Sequence, residues 1–400
     1  MRKTLLALTA TAATLIAGSA LAADTVKIGL IMAYSGPFAD TANQMQRGID
    51  LYIQQHGDEV AGKKIELIKK DTGGPNPDVA KRLAQELVVR DGVDILAGFT
   101  LTPEALGAAD VADQAKKMLV VMNAATSVIT EKSPFVVRTS LTIPQLNYPF
   151  GKWAYDKAGI KSVYTLVADY GPGHDAEKAF AKGFEEAGGK IVGADQSPVA
   201  NPDFSAFVQR IKDAQPEAVY VFIPGGAQPP ALGKALAERG LTPPDTKILA
   251  QGELTLPEAI ESMGDTADGI ITTFHYTMER DDPINNEFVK AFRDANDGRS
   301  PDIFSVGGYD GMHLIYETLK KTEGDTDGAK LVDAAKGMAW DSPRGPISID
   351  PETRELIECS ELLYARVARL DRALEAKFAM ERSAFVEMQE QLVQRVGIGG

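Results

Sequence analysis

VKIGLIMAYSGPFADTANQMQRGIDLYIQQ, residues 26–55, decides the fold. Val26 to Met32 is an apolar run of strand length, and Ala39 to Gln55 then carries a helical period. The same alternation continues along the chain. Further strand-length runs occur at Ile65 to Lys69, Asp94 to Phe99 and Met118 to Met122. A second series follows at Val163 to Val167, Lys190 to Val192, Ala218 to Ile223, Lys247 to Ala250 and Gly269 to Phe274. Helical periods lie between them, including Pro77 to Arg90, Ala176 to Glu186, Ala206 to Lys212 and Pro230 to Arg239. Strands alternating with helices select an α/β fold with mainly parallel sheets covered on both faces. Asp91-Gly92, Gly188-Gly189 and Arg239-Gly240 each place a glycine just past a helix end.

The two series predict two sheets of similar size. Arg138-Thr-Ser-Leu-Thr-Ile-Pro144, Thr272 to Tyr276 and Trp340-Asp-Ser-Pro-Arg-Gly-Pro346 are candidate crossovers between them. Three crossings make each lobe discontinuous and give a three-strand hinge. The expected division is 24–141 with 276–341 for the first lobe and 142–275 with 346–400 for the second.

Residues 1–22, MRKTLLALTATAATLIAGSALA, have a basic start, a short apolar run and a small-x-small ending. That is the pattern of an export signal cleaved after Ala22, with a run too short to span a bilayer. Losing Arg2 and Lys3 takes the formal charge from −14 to −16. Nucleic acids and anionic membranes need a basic patch, so this balance argues against both as partners. The single cysteine, Cys359, cannot form an internal disulfide, which a periplasmic location tolerates. A monomer is expected.

Enzyme chemistry finds little support. The mature chain has no G-x-S-x-G elbow, and Gly171-Pro172-Gly173-His174 lacks both the P-loop and the dinucleotide glycine spacing. His56, His174, His275 and His313 are widely spaced and form no zinc motif, so neither metal nor cofactor is expected.

Several segments together carry a resemblance: 26–55, AGFTLTPE at 97–104, VVMNAAT at 120–126 and VADYGPGHDAEKAFAKGFEEAGGKIVG at 167–193. SVGGYDGMHLIYETL at 305–319 and SPRGPISIDPETRE at 342–355 extend it. Over residues 24–356 the chain resembles the branched-chain amino-acid-binding family of ABC-transporter periplasmic receptors. The resemblance implies the type I periplasmic binding protein fold: two Rossmann-like lobes that close on a small carboxylate-bearing ligand and deliver it to an inner-membrane ABC permease. A sensor on the same fold, signalling to a membrane partner, is the alternative.

Matched position by position, the resemblance places Thr102 and Thr126 on the ligand carboxylate and the Ala124 carbonyl on its amino group. Tyr170 and Glu253 face them from the second lobe, with Glu253 pairing an ammonium. Thr102 as a helix N-cap and Glu253 as a solvated helix-start acid remain the plain alternatives. Thr41 and Ala227 stand where related receptors carry aromatics, which leaves room for an aryl or longer acid. His275 and Phe304, with Tyr276, lie at or near the crossovers and are either ligand walls or hinge core.

Residues 357–400 depart from the family pattern. Leu363, Val367, Leu370, Leu374 and Phe378 fall at helical spacing, as in an added helix or a shifted reading frame.

Overall fold

The computed structural model describes residues 25–358 together with the strands 362–367 and 376–379. The export signal, its cleavage site and Cys359 lie outside the described residues.

The first sheet contains β1 (Thr25–Met32), β2 (Glu59–Val60), β3 (Lys63–Asp71), β4 (Ile95–Gly98), β5 (Leu119–Val121) and β6 (Val136–Arg138). Its order is β2-β3-β1-β4-β5-β6, parallel except for the β2–β3 hairpin. The second sheet is built on β7 (Ser162–Ala168), β8 (Lys190–Ser197), β9 (Ala218–Phe222), β10 (Lys247–Gln251) and β11 (Ile271–Phe274). These five run parallel in the order β8-β7-β9-β10-β11, repeating the β3-β1-β4-β5-β6 pattern of the first sheet. Both faces are covered by helices, so most of β1, β4, β5, β7 and β9 is buried.

Local chemistry sets the helix starts. Asn76 caps the helix Pro77–Glu86 by accepting from the Asp78 and Val79 amides, both at 3.1 Å. Asp302 caps Ile303–Lys321 through the Ser305 amide at 2.9 Å. This long helix comes late in the sequence but packs on Ala39–His56, backbone to backbone. A Cβ at Gly48 would stand 1.9 Å from the Ser305 carbonyl oxygen, and one at Gly308 would stand 2.3 Å from that of Met45.

Two expectations are corrected. Trp340 to Pro346 is a hairpin rather than an extended crossover. There β12 (Ala339–Ser342) pairs antiparallel with β13 (Gly345–Ile349), and β13 pairs with β14 (Leu356–Glu358) to complete a three-stranded sheet. The chain reaches the second sheet only beyond that point. The second correction concerns the C-terminal segment, where Leu363, Val367 and Phe378 lie on strands β15 (Leu362–Val367) and β16 (Ala376–Ala379) instead of on a helix. β15 pairs antiparallel with β11, so an open sheet edge outweighs the local helical spacing. Leu370 and Leu374 lie outside the described residues.

Candidate functional site

In both sheets the strand order reverses around a central strand, β1 or β7, and ligands of open α/β sheets sit beyond the carboxyl ends of strands at such points. A cavity lies there between the sheets, with about 550 Å³ of empty space counted to its open mouth. The first sheet contributes Thr100, Leu101 and Thr102 after β4 and Asn123, Ala124 and Ala125 after β5. The second contributes Tyr170 and Pro172 after β7, Pro224 and Gly225 after β9, Gln251 and Glu253 around the end of β10, and Phe274 and His275 from β11.

Thr102 is the first residue of the helix Thr102–Ala115, whose N-cap is Leu101. Its hydroxyl does not cap the helix. It hydrogen-bonds to the Thr126 hydroxyl at 2.8 Å, and both residues are buried. One proton is used within the pair, which leaves the other hydroxyl free to donate to an anion beside a helix N-terminus. Thr126 is one step behind the cavity wall, reaching the site through Thr102.

Ala124 lines the cavity, but its oxygen accepts from Arg138 Nη1 at 3.0 Å and from the Ser140 hydroxyl at 3.4 Å. The Arg138 bond occupies one lone pair of the carbonyl, while the Ser140 contact is long for a hydroxyl donor. Arg138 also donates to the Thr126 carbonyl at 2.8 Å and ion-pairs with Glu355 at 2.7 Å, fixing the whole 124–126 loop.

Glu253 is buried in a short turn, Gly252–Thr255, and is not a solvated helix-start acid. Burial pushes its carboxyl up to about 8, against the lowering effect of its own backbone N–H. Burial thus favours its neutral, protonated form. Burial also holds His275 well below the usual histidine range, helped by the positive charge of Arg344, so the ring is neutral. Glu253 Oε2 and His275 Nδ1 are both buried without a hydrogen-bond partner among the described residues. Unpaired buried atoms of this kind cost about 1–3 kcal/mol each, a cost that a bound polar group would remove.

Thr41 and Phe304 line the cavity and are buried, and the Thr41 hydroxyl donates to the Phe38 carbonyl at 2.6 Å. Ala227 does not reach it. This residue is exposed at the start of the helix Gln228–Glu238, with its amide donating to the Pro37 carbonyl at 3.3 Å, and Gly225 takes the wall position instead. Sequence reasoning missed Phe38, Phe222 and Phe274, which give the cavity aromatic walls. Phe222 and Phe274 end strands whose loops were already under suspicion, a signal that was present; Phe38 sits in a Gly-Pro-Phe turn with no pattern of its own.

The two sides touch around this cavity. Ser127 donates to Asp175 Oδ2 from its amide at 2.9 Å and its hydroxyl at 3.1 Å, and Gln44 Nε2 donates to Glu258 at 3.1 Å. Gly171 lies against Thr126 so closely that a Cβ there would be 2.8 Å from Thr126 Oγ1.

A family model described as periplasmic binding protein matches residues 25–372. The chain belongs to this family. Among similar proteins of known structure, a solute-binding protein of an ABC transporter from Rhodopseudomonas palustris BisB5, in complex with 3,4-dihydroxybenzoic acid, is 46% identical. It superposes with a TM-score of 0.83 over 90% of this chain and 99% of that one. Another from R. palustris, in complex with 4-hydroxybenzoate, is 38% identical with a TM-score of 0.83, covering 88% and 96% of the two chains. The Leu/Ile/Val-binding protein homolog 6 of Brucella melitensis is 45% identical over 368 residues, 92% of this chain and 93% of that protein. This periplasmic binding protein therefore has the type I fold, and its relatives are solute-binding transport proteins. Among the described residues of this periplasmic binding protein, no cluster of His, Cys, Asp and Glu is arranged to hold a metal ion.

Proposed function

We propose that this periplasmic binding protein takes a hydroxylated aromatic carboxylic acid between its lobes and delivers it to an ABC permease, after export and cleavage following Ala22. The proposed lobes are 24–141 with 276–341 and 142–275 with the return of the chain through β15. The observation that carries the ligand class is the pair Glu253 and His275: both in the cavity lining, both buried, each with an unpartnered polar atom, and both pushed by burial toward the uncharged form. A phenolic hydroxyl both donates and accepts, so it can satisfy a neutral acid and a neutral imidazole together. At the other side, the Thr102–Thr126 pair and the helix start suit the carboxylate, and Phe38, Phe222, Phe274 and Phe304 suit a ring. The hydroxybenzoate complexes of the R. palustris relatives support the same reading.

One observation favours an α-amino acid instead: Glu253 Oε2 has no partner, and an ammonium would supply one. That reading requires Glu253 to ionise and an ammonium to share the Ala124 carbonyl with Arg138.

Calorimetric titration with 4-hydroxybenzoate, 3,4-dihydroxybenzoate, benzoate, leucine and phenylalanine tests the proposal. The hydroxybenzoates are expected to bind most tightly, with benzoate weaker by about five- to tenfold for the missing hydrogen bond. Tighter binding of leucine than of any aromatic acid overturns it.

A further inference from the structure

A second cavity, with about 480 Å³ of empty space counted to its open mouth, adjoins the first and is lined by Gly252, Thr255, Thr272, Tyr276, Asp302 and Ile303 among others. Phe274 lines both cavities. The neighbouring residues divide between the two sides: Glu253, His275 and Phe304 line the first cavity, while Gly252, Tyr276 and Ile303 line the second. One aromatic ring, flanked by the Gly252–Glu253 and Ile303–Phe304 segments, therefore stands between the two spaces.

The ring is held in place. A Cβ at Gly252 would fall 2.5 Å from Phe274 Cγ and 2.6 Å from Cδ2, so Phe274 lies directly on the bare glycine backbone. It also stacks on His275, with ring centroids 4.7 Å apart and planes inclined by 23°. The space beyond is not a plain apolar void. Tyr276 is buried, and its hydroxyl has no hydrogen-bond partner among the described residues. Thr255 and Thr272, in contrast, satisfy each other at 2.8 Å.

We propose that Phe274 is the specificity residue that sets the length limit of the ligand, and that the chamber behind it accepts the polar far end of an elongated acid once the ring is removed. The ligand's chemical class rests on the function proposed above; the length limit does not.

Two series are titrated into the wild-type protein and Phe274→Ala: 4-hydroxybenzoate against 4-(4-hydroxyphenyl)benzoate, and phenylalanine against its 4-phenyl derivative. In the series that the wild type binds, it is expected to reject the longer member. The variant is expected to gain at least about tenfold for the longer member, the scale on which added room changes discrimination in an apolar pocket, while the shorter one weakens. Adding Tyr276→Phe should then take back a few-fold of the gain for the hydroxyl-terminated biphenyl acid only. If Phe274→Ala is too unstable to purify, Phe274→Leu removes the ring while keeping an aliphatic group on Gly252, and a smaller shift of the same sign is expected. Absence of a shift toward the longer member in both series, in a folded variant, overturns the partition. Wild-type binding confined to the amino-acid series overturns the aromatic-acid reading and leaves the length test to be read in that series.

Discussion

Glu253 carries the choice between ligand classes as a question of protons. An ammonium entering beside it would pull the carboxyl from about 8 back toward its usual range and release close to one proton per ligand at pH 7. A hydroxybenzoate, arriving with its own negative charge, needs Glu253 to stay neutral and releases none. Calorimetry in two buffers of different ionisation enthalpy measures this number directly, and we expect it to lie near zero for 4-hydroxybenzoate. Glu253→Gln, a neutral isostere, should then cost less than about 1 kcal/mol with the aromatic acid, against about 1.5–3 kcal/mol for a ligand that needs the charge. Thr102→Ala should weaken every carboxylate tested; unchanged affinities would move the carboxylate away from the Thr102–Thr126 pair. Seven of the nine site residues named from sequence line the cavity and Thr126 touches it through Thr102, because strand ends and their loops are visible in the chain. Ala227 was missed by two residues: the loop after β9 turns at Gly226, whose close approach to the Pro37 carbonyl is a tertiary fact with no local signature.

Among the elements, the helix Gly171–Glu186 is the informative one. Its first residue meets Thr126 across the cleft without room for a side chain, so Gly171→Ala should hinder the approach of the two sides. Affinity is expected to fall by about tenfold through a smaller population of the binding-competent form, with the melting temperature of the ligand-free protein little changed. A loss of stability equal to the loss of binding would show that the glycine serves folding instead. The β/α alternation of both sheets was legible because parallel strands buried on both faces read as apolar runs. The hairpin at 339–349 was not, because two prolines and a glycine mark a turn without saying whether the chain doubles back or crosses over. Nor was β15, whose partner edge on β11 lies about ninety residues away along the chain, or β16, which pairs with β15 in turn.

For the whole molecule, the buried acids set a pH profile. Burial raises Glu253 to about 8 and Glu104 and Asp302 to about 7 each. Such groups bind protons more tightly in the folded chain than in the unfolded one, so their contribution is complete below the ordinary carboxyl range and is lost as pH rises through 7 to 8. His275 works in the opposite sense: its lowered pKa makes it a proton-poor site in the fold, and its contribution fades as pH falls below 6.5. On these groups, stability of the ligand-free protein should fall as pH rises from about 5 to about 8 and level off above, with melting temperatures lower by several degrees at the alkaline end. Glu253→Gln should flatten the alkaline arm, and a profile rising from pH 6 to 9 would contradict the assignment. Saturation with ligand should also reduce the radius of gyration in small-angle scattering, since the bound solute bridges both sides.

Arg344, at the turn of the β12–β13 hairpin, is buried, bonds Asp310 of the long helix through Nε at 2.8 Å and reaches the Thr139 carbonyl just past β6 at 2.9 Å. It thus joins the hairpin, the long helix and the first crossing segment at one point. Moving any one of the three would leave a buried charge or carbonyl without its partner, so they hold together as one rigid joint.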